Sequence, residues 1–334
     1  MKNLNERTKY RIALVDNAKG LLVLFFLFTH LFAEPPILYT PPGWLKHHGD
    51  VTPFAFWRFL NISLMDLGPI FFFFFIGLTL FDSFSKRVKT EGKRAAYRKY
   101  LFRNAVIFSI TFADIFIKGQ LPQGMLMRWS ALAGIAFTGF LLTPFLAGFI
   151  RNNAWVRFVL GAAVLAAYQC FQGYLKFLDS NDGGMMACVG YVGTVLIASV
   201  IGDLSKKGFA PYALASVGLF FAAWTAKTRL GEPSYVLFNA SYMIMSLFAV
   251  NLFYFVIYVI DKLLVKGRAL PVFAPLGRNI IVFLFLTLSI EGLLRVLSAA
   301  PYTLKQMWII ECACVSAYVL ISLILGKKNI VIKL

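Results

Sequence analysis

Charged side chains, and acidic ones above all, are scarce in this sequence of 334 residues. Only 14% of the residues are charged and 15 are Asp or Glu, whereas 59% are hydrophobic and 35 are Phe. Soluble globular domains contain roughly 25% charged residues, so this composition excludes that class. The sequence predicts an all-α, polytopic integral membrane protein.

Cysteine and histidine are also rare. All four cysteines fall inside or at the ends of apolar segments, so we expect no disulfide framework. The histidines are His30, His47 and His48, and no His-x-x-His or Cys-bearing ligand spacing accompanies them. We therefore expect no metal cofactor.

Long apolar runs, in contrast, are abundant. Ten of them approach or exceed the ~20 residues that cross a hydrocarbon core. They cover residues 13–33, 67–84, 101–117, 129–150, 155–173, 185–202, 209–226, 235–260, 278–298 and 306–325. An even number of crossings returns the chain to its starting side, and we expect residues 1–334 to form a single transmembrane domain.

The net charge of +18 is explained by its distribution along the chain. If the N-terminus is cytoplasmic, 24 of the 33 lysines and arginines fall on the cytoplasmic side, which is the bias of the positive-inside rule. Both termini are then predicted to be cytoplasmic. The basic segments suit anionic membrane lipids, and no nucleic acid is needed to account for the charge.

The first apolar helix carries three ionisable residues on one face, namely Asp16, Lys19 and His30. At about 100° and 1.5 Å per residue, Lys19 and His30 lie about 20° apart around the axis and roughly 16 Å apart along it. An ionisable residue inside a membrane helix needs a partner, a water-filled cavity or a ligand. This stripe therefore predicts a functional site.

The longest predicted extracytoplasmic connection, residues 34–66, contains His47, His48 and Asp66. A connection of this length is usually functional or disordered. Neutral imidazole near pH 7 can accept a proton from a hydroxyl or an amine, so His30, His47 and His48 are alternative general bases. Asp66 would orient or charge-stabilise the histidine that acts.

Two other segments bear on the site. Residues 85–103, predicted to be a loop, contain eight basic residues that can neutralise either lipid phosphates or a phosphorylated donor. Gly277, Arg278 and Asn279 open the predicted ninth helix, and Glu291 with Arg295 at its far end has the spacing of an ion pair.

These residues resemble a known family. Asp16-x-x-Lys19-Gly20 followed by nine residues and His30 is similar to the first helix of membrane acyltransferases, including the acyltransferase-3 group, with Lys19 where Arg is usual. The run from Asp66 to Gly77, the Asp182-Gly183-Gly184 turn and Gly277-Arg278-Asn279 resemble bacterial relatives of heparan-α-glucosaminide N-acetyltransferase.

The resemblance implies a multi-pass protein of the inner membrane that moves an acyl group, usually acetyl, from cytoplasmic acyl-CoA to an extracytoplasmic glycan hydroxyl or amine. For such a reaction we expect the co-substrate to be bound by Lys19, Asp16, Arg98, Arg103, Arg278 and Asn279. The lysosomal relatives carry Asn at the position of His30 and a catalytic histidine in the following loop. Here both places carry histidine, so the base stays open.

The alternative is a transporter or flippase for an anionic or lipid-linked solute, in which Lys19, His30, Glu291 and Arg295 line a pathway. The sequence shows no internal repeat of the kind that many transporters contain. It leaves open the acceptor, the acyl chain, the choice between direct transfer and an acyl-enzyme, and the oligomeric state, including a homodimer.

Overall fold

A computed structural model of the chain describes residues 2–33, 37–38, 59–117, 131–172, 184–234, 238–297 and 300–332. The described residues are helical apart from turns and one isolated bridge between Ile37 and Tyr302. The α-helices are α1 (Lys2–Ala33), α2 (Gly68–Glu91), α3 (Lys93–Ile117), α4 (Ala131–Leu142), α5 (Gly148–Asn152), α6 (Ala154–Gln172), α7 (Gly184–Lys207), α8 (Phe209–Leu230), α9 (Ala240–Ile260), α10 (Phe273–Arg278), α11 (Ile280–Leu297) and α12 (Leu304–Lys327).

Seven helical segments in this part of the chain are long and apolar enough to cross a membrane. They are Ala13–Phe32, Met65–Glu91, Ala154–Phe171, Gly184–Lys207, Phe209–Leu230, Ala240–Val265 and Leu304–Lys327. Because the hydrocarbon core of a bilayer contains no water, backbone N–H and C=O groups there must be hydrogen-bonded within the protein, and a continuous helix of this length meets that requirement. The prediction of an all-helical, multi-pass membrane protein is confirmed at this level.

The other three predicted spans take different forms. The first of them lies within α3, whose N-terminal part carries the basic residues up to Arg103. The second is divided between α4, a 3₁₀ turn at Thr143–Leu146 and α5, because Pro144 cannot continue the helix. The third is interrupted at Asn279 and continues as α11, whose apolar part, Ile280–Leu294, is short.

The basic segment 85–103 was wrongly predicted to be a loop. Helix α2 continues to Glu91, and α3 begins at Lys93. Only Gly92 interrupts them, with a φ of 85° that glycine adopts more readily than other residues. Lysine and arginine are good helix formers, so a charged segment extends a membrane helix into water as readily as it forms a loop.

The described residues divide into two compact units. Unit 1 contains α1, the end of α9 and helices α10, α11 and α12. A buried apolar cluster from α1, α10, α11 and α12 forms its centre. Its members are Val23, Leu27, Leu31, Phe32, Leu276, Phe283, Met307 and Tyr318.

Unit 2 contains helices α2 to α8 and most of α9. The phenylalanine run of α2 is buried, and Phe73 stacks on Tyr191 of α7 with ring centroids 3.9 Å apart. A Cβ added to Gly77 would lie 2.6 Å from the carbonyl oxygen of Val195. Glycine at this position therefore sets the close approach of α2 to α7, as small residues do in membrane helix packing.

Candidate functional site

Asp16 and His30 of the stripe on α1 have ion-pair partners on other helices of unit 1. Asp16, Lys19 and His30 are all half-buried. Asp16 pairs with Arg278 at the end of α10, and His30 pairs with Glu291 on α11. The stripe therefore contacts neighbouring helices of unit 1 at both of its ends.

The His30–Glu291 pair joins an imidazole to a carboxylate near the C-terminal end of α1. His30 Nδ1 lies 2.9 Å from Glu291 Oε2, and each side chain is 14% exposed. The ring of Phe26 covers the imidazole, with centroids 3.9 Å apart. When Nδ1–H donates a hydrogen bond to the carboxylate, Nε2 carries the lone pair, which is the tautomer that a general base needs.

Sequence reasoning gave Glu291 a different partner. Its i, i+4 spacing predicted an ion pair with Arg295, whereas the structure brings Glu291 to His30, 261 positions earlier in the chain. The side chain of Arg295 lies outside the described residues. The spacing of residues along one helix identifies only neighbours on that helix. It therefore cannot predict a partner that α1 contributes.

The other end of the stripe depends on two glycines. Arg278 donates from Nε to Asp16 Oδ2 at 3.1 Å. A Cβ on Gly277 would lie 1.9 Å from the carbonyl oxygen of Asp16, and a Cβ on Gly20 would lie 1.9 Å from the carbonyl oxygen of Phe273. The backbones of α1 and α10 therefore touch, and this contact holds Asp16 and Arg278 together.

Asn17 strengthens the same contact, although sequence reasoning missed it. Its Oδ1 accepts from the backbone N–H of Leu270, and its Nδ2 donates to the carbonyl oxygen of Arg268. The side chain is 6% exposed and clamps the turn before α10 onto α1. An Asn beside an Asp and a Lys in an apolar helix was the available signal, because a buried amide needs hydrogen-bond partners.

Asn279 was predicted at the co-substrate site, but its side chain hydrogen-bonds to backbone groups. Its Nδ2 donates to the carbonyl oxygen of Pro275 at 2.9 Å, and its Oδ1 accepts from the N–H of Ile332 at 2.7 Å. The residue is 2% exposed. These hydrogen bonds attach the backbone at Ile332 to the junction of α10 and α11. Because the side-chain amide is used in this way, we do not include Asn279 in the proposed site.

The remaining predicted site residues are not in unit 1 or are not described. Arg98 and Arg103 lie on α3 in unit 2, with exposed side chains. Asp66 is a buried residue of unit 2, in the 3₁₀ turn before α2, and its backbone carbonyl accepts from the Tyr242 hydroxyl at 2.5 Å. His47 and His48 lie outside the described residues.

Unit 2 carries a charge network that sequence reasoning also missed. Arg157 is 2% exposed, donates to Ser199 Oγ at 2.9 Å and pairs with Asp203. Lys206 joins Asp203 and Asp82 at 2.6 and 2.7 Å. A buried arginine with a carboxylate partner is a structural element of the unit.

Unit 1 contains a further buried acid, Glu311 on α12, which is 3% exposed. Neither carboxyl oxygen has a hydrogen-bond partner among the described residues. One turn earlier on α12, the ring of Trp308 contacts Phe32, and two turns later Tyr318 reaches Thr287 at 3.0 Å. Glu311 therefore lies near the level of the His30–Glu291 pair within this unit.

Among the described residues, no group of three or more His, Cys, Asp or Glu side chains could hold a metal ion. No protein-family model matches the sequence, and no curated protein matches it. The family resemblance therefore depends on the motifs themselves.

Proposed function

We propose that the protein is a membrane-bound acyltransferase that moves an acyl group, acetyl in the simplest case, from cytoplasmic acyl-CoA to a hydroxyl or amine of an extracytoplasmic glycan. The observation that carries the proposal is the His30–Glu291 contact at 2.9 Å in unit 1. A base held by a carboxylate is what acyl transfer to a hydroxyl or amine needs. The motif resemblance supports the same chemistry.

In this reaction His30 Nε2 accepts the proton of the acceptor while the acceptor oxygen or nitrogen attacks the thioester carbonyl. Glu291 stabilises the imidazolium that forms. The carbon–sulfur bond then breaks, and the CoA thiolate leaves and takes up the proton from His30. Atoms and charges balance without an external oxidant, reductant or metal.

The cationic end of the stripe supports the binding of the donor. Lys19 and Arg278 lie on the side that the positive-inside bias assigns to the cytoplasm, and their charges can meet the phosphates of CoA. Lys19 and His30 are roughly 16 Å apart along α1. An extended pantetheine arm would bridge this separation. Arg278 would exchange Asp16 for a phosphate oxygen on binding.

The topology that goes with this proposal has ten crossings and both termini in the cytoplasm, in the inner membrane. The seven spanning segments supply most of it. α3, α4 and α11 would supply the other crossings, as shorter or more polar helices with neighbours in their unit.

The second candidate is a proton-coupled transporter. A histidine paired with a carboxylate inside a membrane protein is also the arrangement of a proton relay. The two candidates differ in what happens to acetyl-CoA, which is a substrate for one and irrelevant to the other.

Labelled acetyl transfer separates the two. Membrane vesicles from the native cells, carrying either the wild-type chain or the His30→Ala, His47→Ala, His48→Ala triple variant, are given [¹⁴C]acetyl-CoA on the cytoplasmic side. We expect label in glycan on the opposite side only with the wild-type chain. Equal labelling by the triple variant would refute the proposal.

Thermal unfolding of the purified chain gives an independent reading. A ligand at 100 times its Kd stabilises the native state by about 2.7 kcal/mol, so acetyl-CoA should raise the unfolding temperature. A transporter of another solute should show no such shift.

A further inference from the structure

A long apolar groove lies on unit 2 and belongs to neither end of the stripe. Helices α6 and α8 form its walls, α7 forms its floor, and the start of α9 contributes at one end. Its volume is about 780 Å³, which is within the range of sites that hold a whole small ligand. All four helices overlap candidate membrane spans, so we expect lipid hydrocarbon around the groove.

Small side chains keep the groove open. Ala162 and Ala166 line the wall on α6, and Ala215, Gly218 and Ala222 line the wall on α8. A Cβ added to Gly218 would meet no atom within 4 Å. The space is therefore a property of these positions, and a larger residue there would fill it.

The two ends of the groove differ in chemistry. Lys207, with no ion-pair partner among the described residues, and the exposed Trp155 stand at one end. Lysine and tryptophan at the end of a membrane span are typical of the headgroup level. At the other end the backbone N–H of Ala240 donates to Gln169 Oε1 at 3.0 Å, and both residues line the groove.

The length of the groove identifies the shape of its ligand. The lining residues run from Ala154 to Cys170 along α6, a rise of roughly 24 Å at 1.5 Å per residue. One leaflet contributes about 15 Å to a ~30 Å hydrocarbon core. A chain that fills the groove is therefore held extended past the bilayer midplane, unlike the disordered chains of surrounding lipid.

We infer that this groove is a binding site for one long acyl chain of an anionic phospholipid, whose phosphate contacts Lys207 and whose methyl end lies toward Gln169. The cationic mouth selects an anionic headgroup, and the apolar lining accepts the extended chain. The site is independent of the proposed acyl transfer, since none of its residues belongs to the stripe.

Photo-crosslinking tests the site. The full chain is reconstituted in vesicles with trace phosphatidylglycerol that carries a diazirine at the end of one acyl chain, and the adducts are mapped by mass spectrometry. We expect adducts concentrated at the Gln169 end of the groove, on the last turn of α6 and the first turns of α9. Gly218→Phe and, from the opposite wall, Ala166→Phe should each lower them roughly tenfold by filling the space.

Matched controls make the result specific. Val217→Phe places the same ring on the neighbouring exposed position of α8, outside the groove lining, and should leave the adducts unchanged. Lys207→Gln should remove the preference for phosphatidylglycerol over a phosphatidylcholine probe with the same chain. Lys328→Gln, at an exposed lysine of unit 1, should retain the preference.

Three results would overturn the inference. One is an adduct density on the groove equal to that on the exposed face of α12. Another is labelling that neither Gly218→Phe nor Ala166→Phe reduces, although both variants elute from a size-exclusion column at the volume of the wild-type chain. The third is a crosslink between two copies of the chain through the groove residues, which would assign the groove to self-association.

Discussion

His30 Nδ1 and Glu291 Oε2 are 2.9 Å apart, joining α1 to α11 across 261 positions of the sequence. Each of the two side chains is only 14% exposed. The carboxylate at Nδ1 orients the imidazole, and in the proposed reaction Nε2 is the atom that accepts the proton. The proposed function of the stripe therefore depends on a contact between two distant segments.

Replacing Glu291 by Gln should lower kcat for acetyl transfer by up to about 10⁴-fold, because an amide neither fixes the tautomer nor stabilises the imidazolium. The KM for acetyl-CoA should be nearly unchanged, since Glu291 is remote from the phosphates. Steady-state kinetics in vesicles measures both. Glu91→Gln makes the same chemical change at an exposed carboxyl and should have no effect.

Replacing Lys19 by Gln should raise the KM for acetyl-CoA and leave kcat nearly unchanged. A contact to the phosphates is made equally in the ground state and the transition state, so its loss weakens binding alone. The difference from the wild-type chain should disappear with S-acetyl-pantetheine, which has no nucleotide. A defect that persists with this truncated donor would place Lys19 at the chemical step instead.

Replacing Gly277 by Ala should destabilise the protein by about 1–3 kcal/mol, since the new methyl group meets the backbone of Asp16 and neither backbone can yield cheaply. Thermal unfolding in detergent measures the change. Gly218→Ala is the matched control, because its methyl group enters open space. A wild-type unfolding temperature for Gly277→Ala would contradict the tight contact of α1 with α10.

Replacing Glu311 by Met should stabilise the fold by about 1–3 kcal/mol, because a buried carboxyl without a hydrogen-bond partner is exchanged for an apolar side chain of similar length. Glu311→Gln retains the polarity and should gain less. A lower unfolding temperature for Glu311→Met would show that the carboxyl has a favourable partner in the membrane-embedded protein.

The sequence predicts the membrane class and the stripe because both depend on local properties. Hydropathy over a window of about 20 residues identifies a span, and the 3.6-residue period places Asp16, Lys19 and His30 on one face. The same local reasoning predicted a loop at 85–103, where a charged helix continues. Charge marks the exit from the bilayer and does not by itself end a helix.

The partners of the stripe could not be predicted from the sequence. Glu291 and Arg278 reach α1 through packing that depends on which helix faces which, and on the backbone contacts at Gly20 and Gly277. A hydropathy pattern contains neither. Asn17 shows what the sequence can indicate. A polar residue in an apolar helix needs hydrogen-bond partners, but only the fold identifies them as Arg268 and Leu270.

The most direct test of the central claim compares histidines. Acetyl transfer from [¹⁴C]acetyl-CoA is measured in native-cell vesicles carrying His30→Ala or the His47→Ala, His48→Ala double variant. If His30 is the base, His30→Ala should lower the rate by about 10²- to 10⁴-fold, and the double variant should stay near the wild-type rate. Full activity in His30→Ala together with its loss in the double variant would contradict the account.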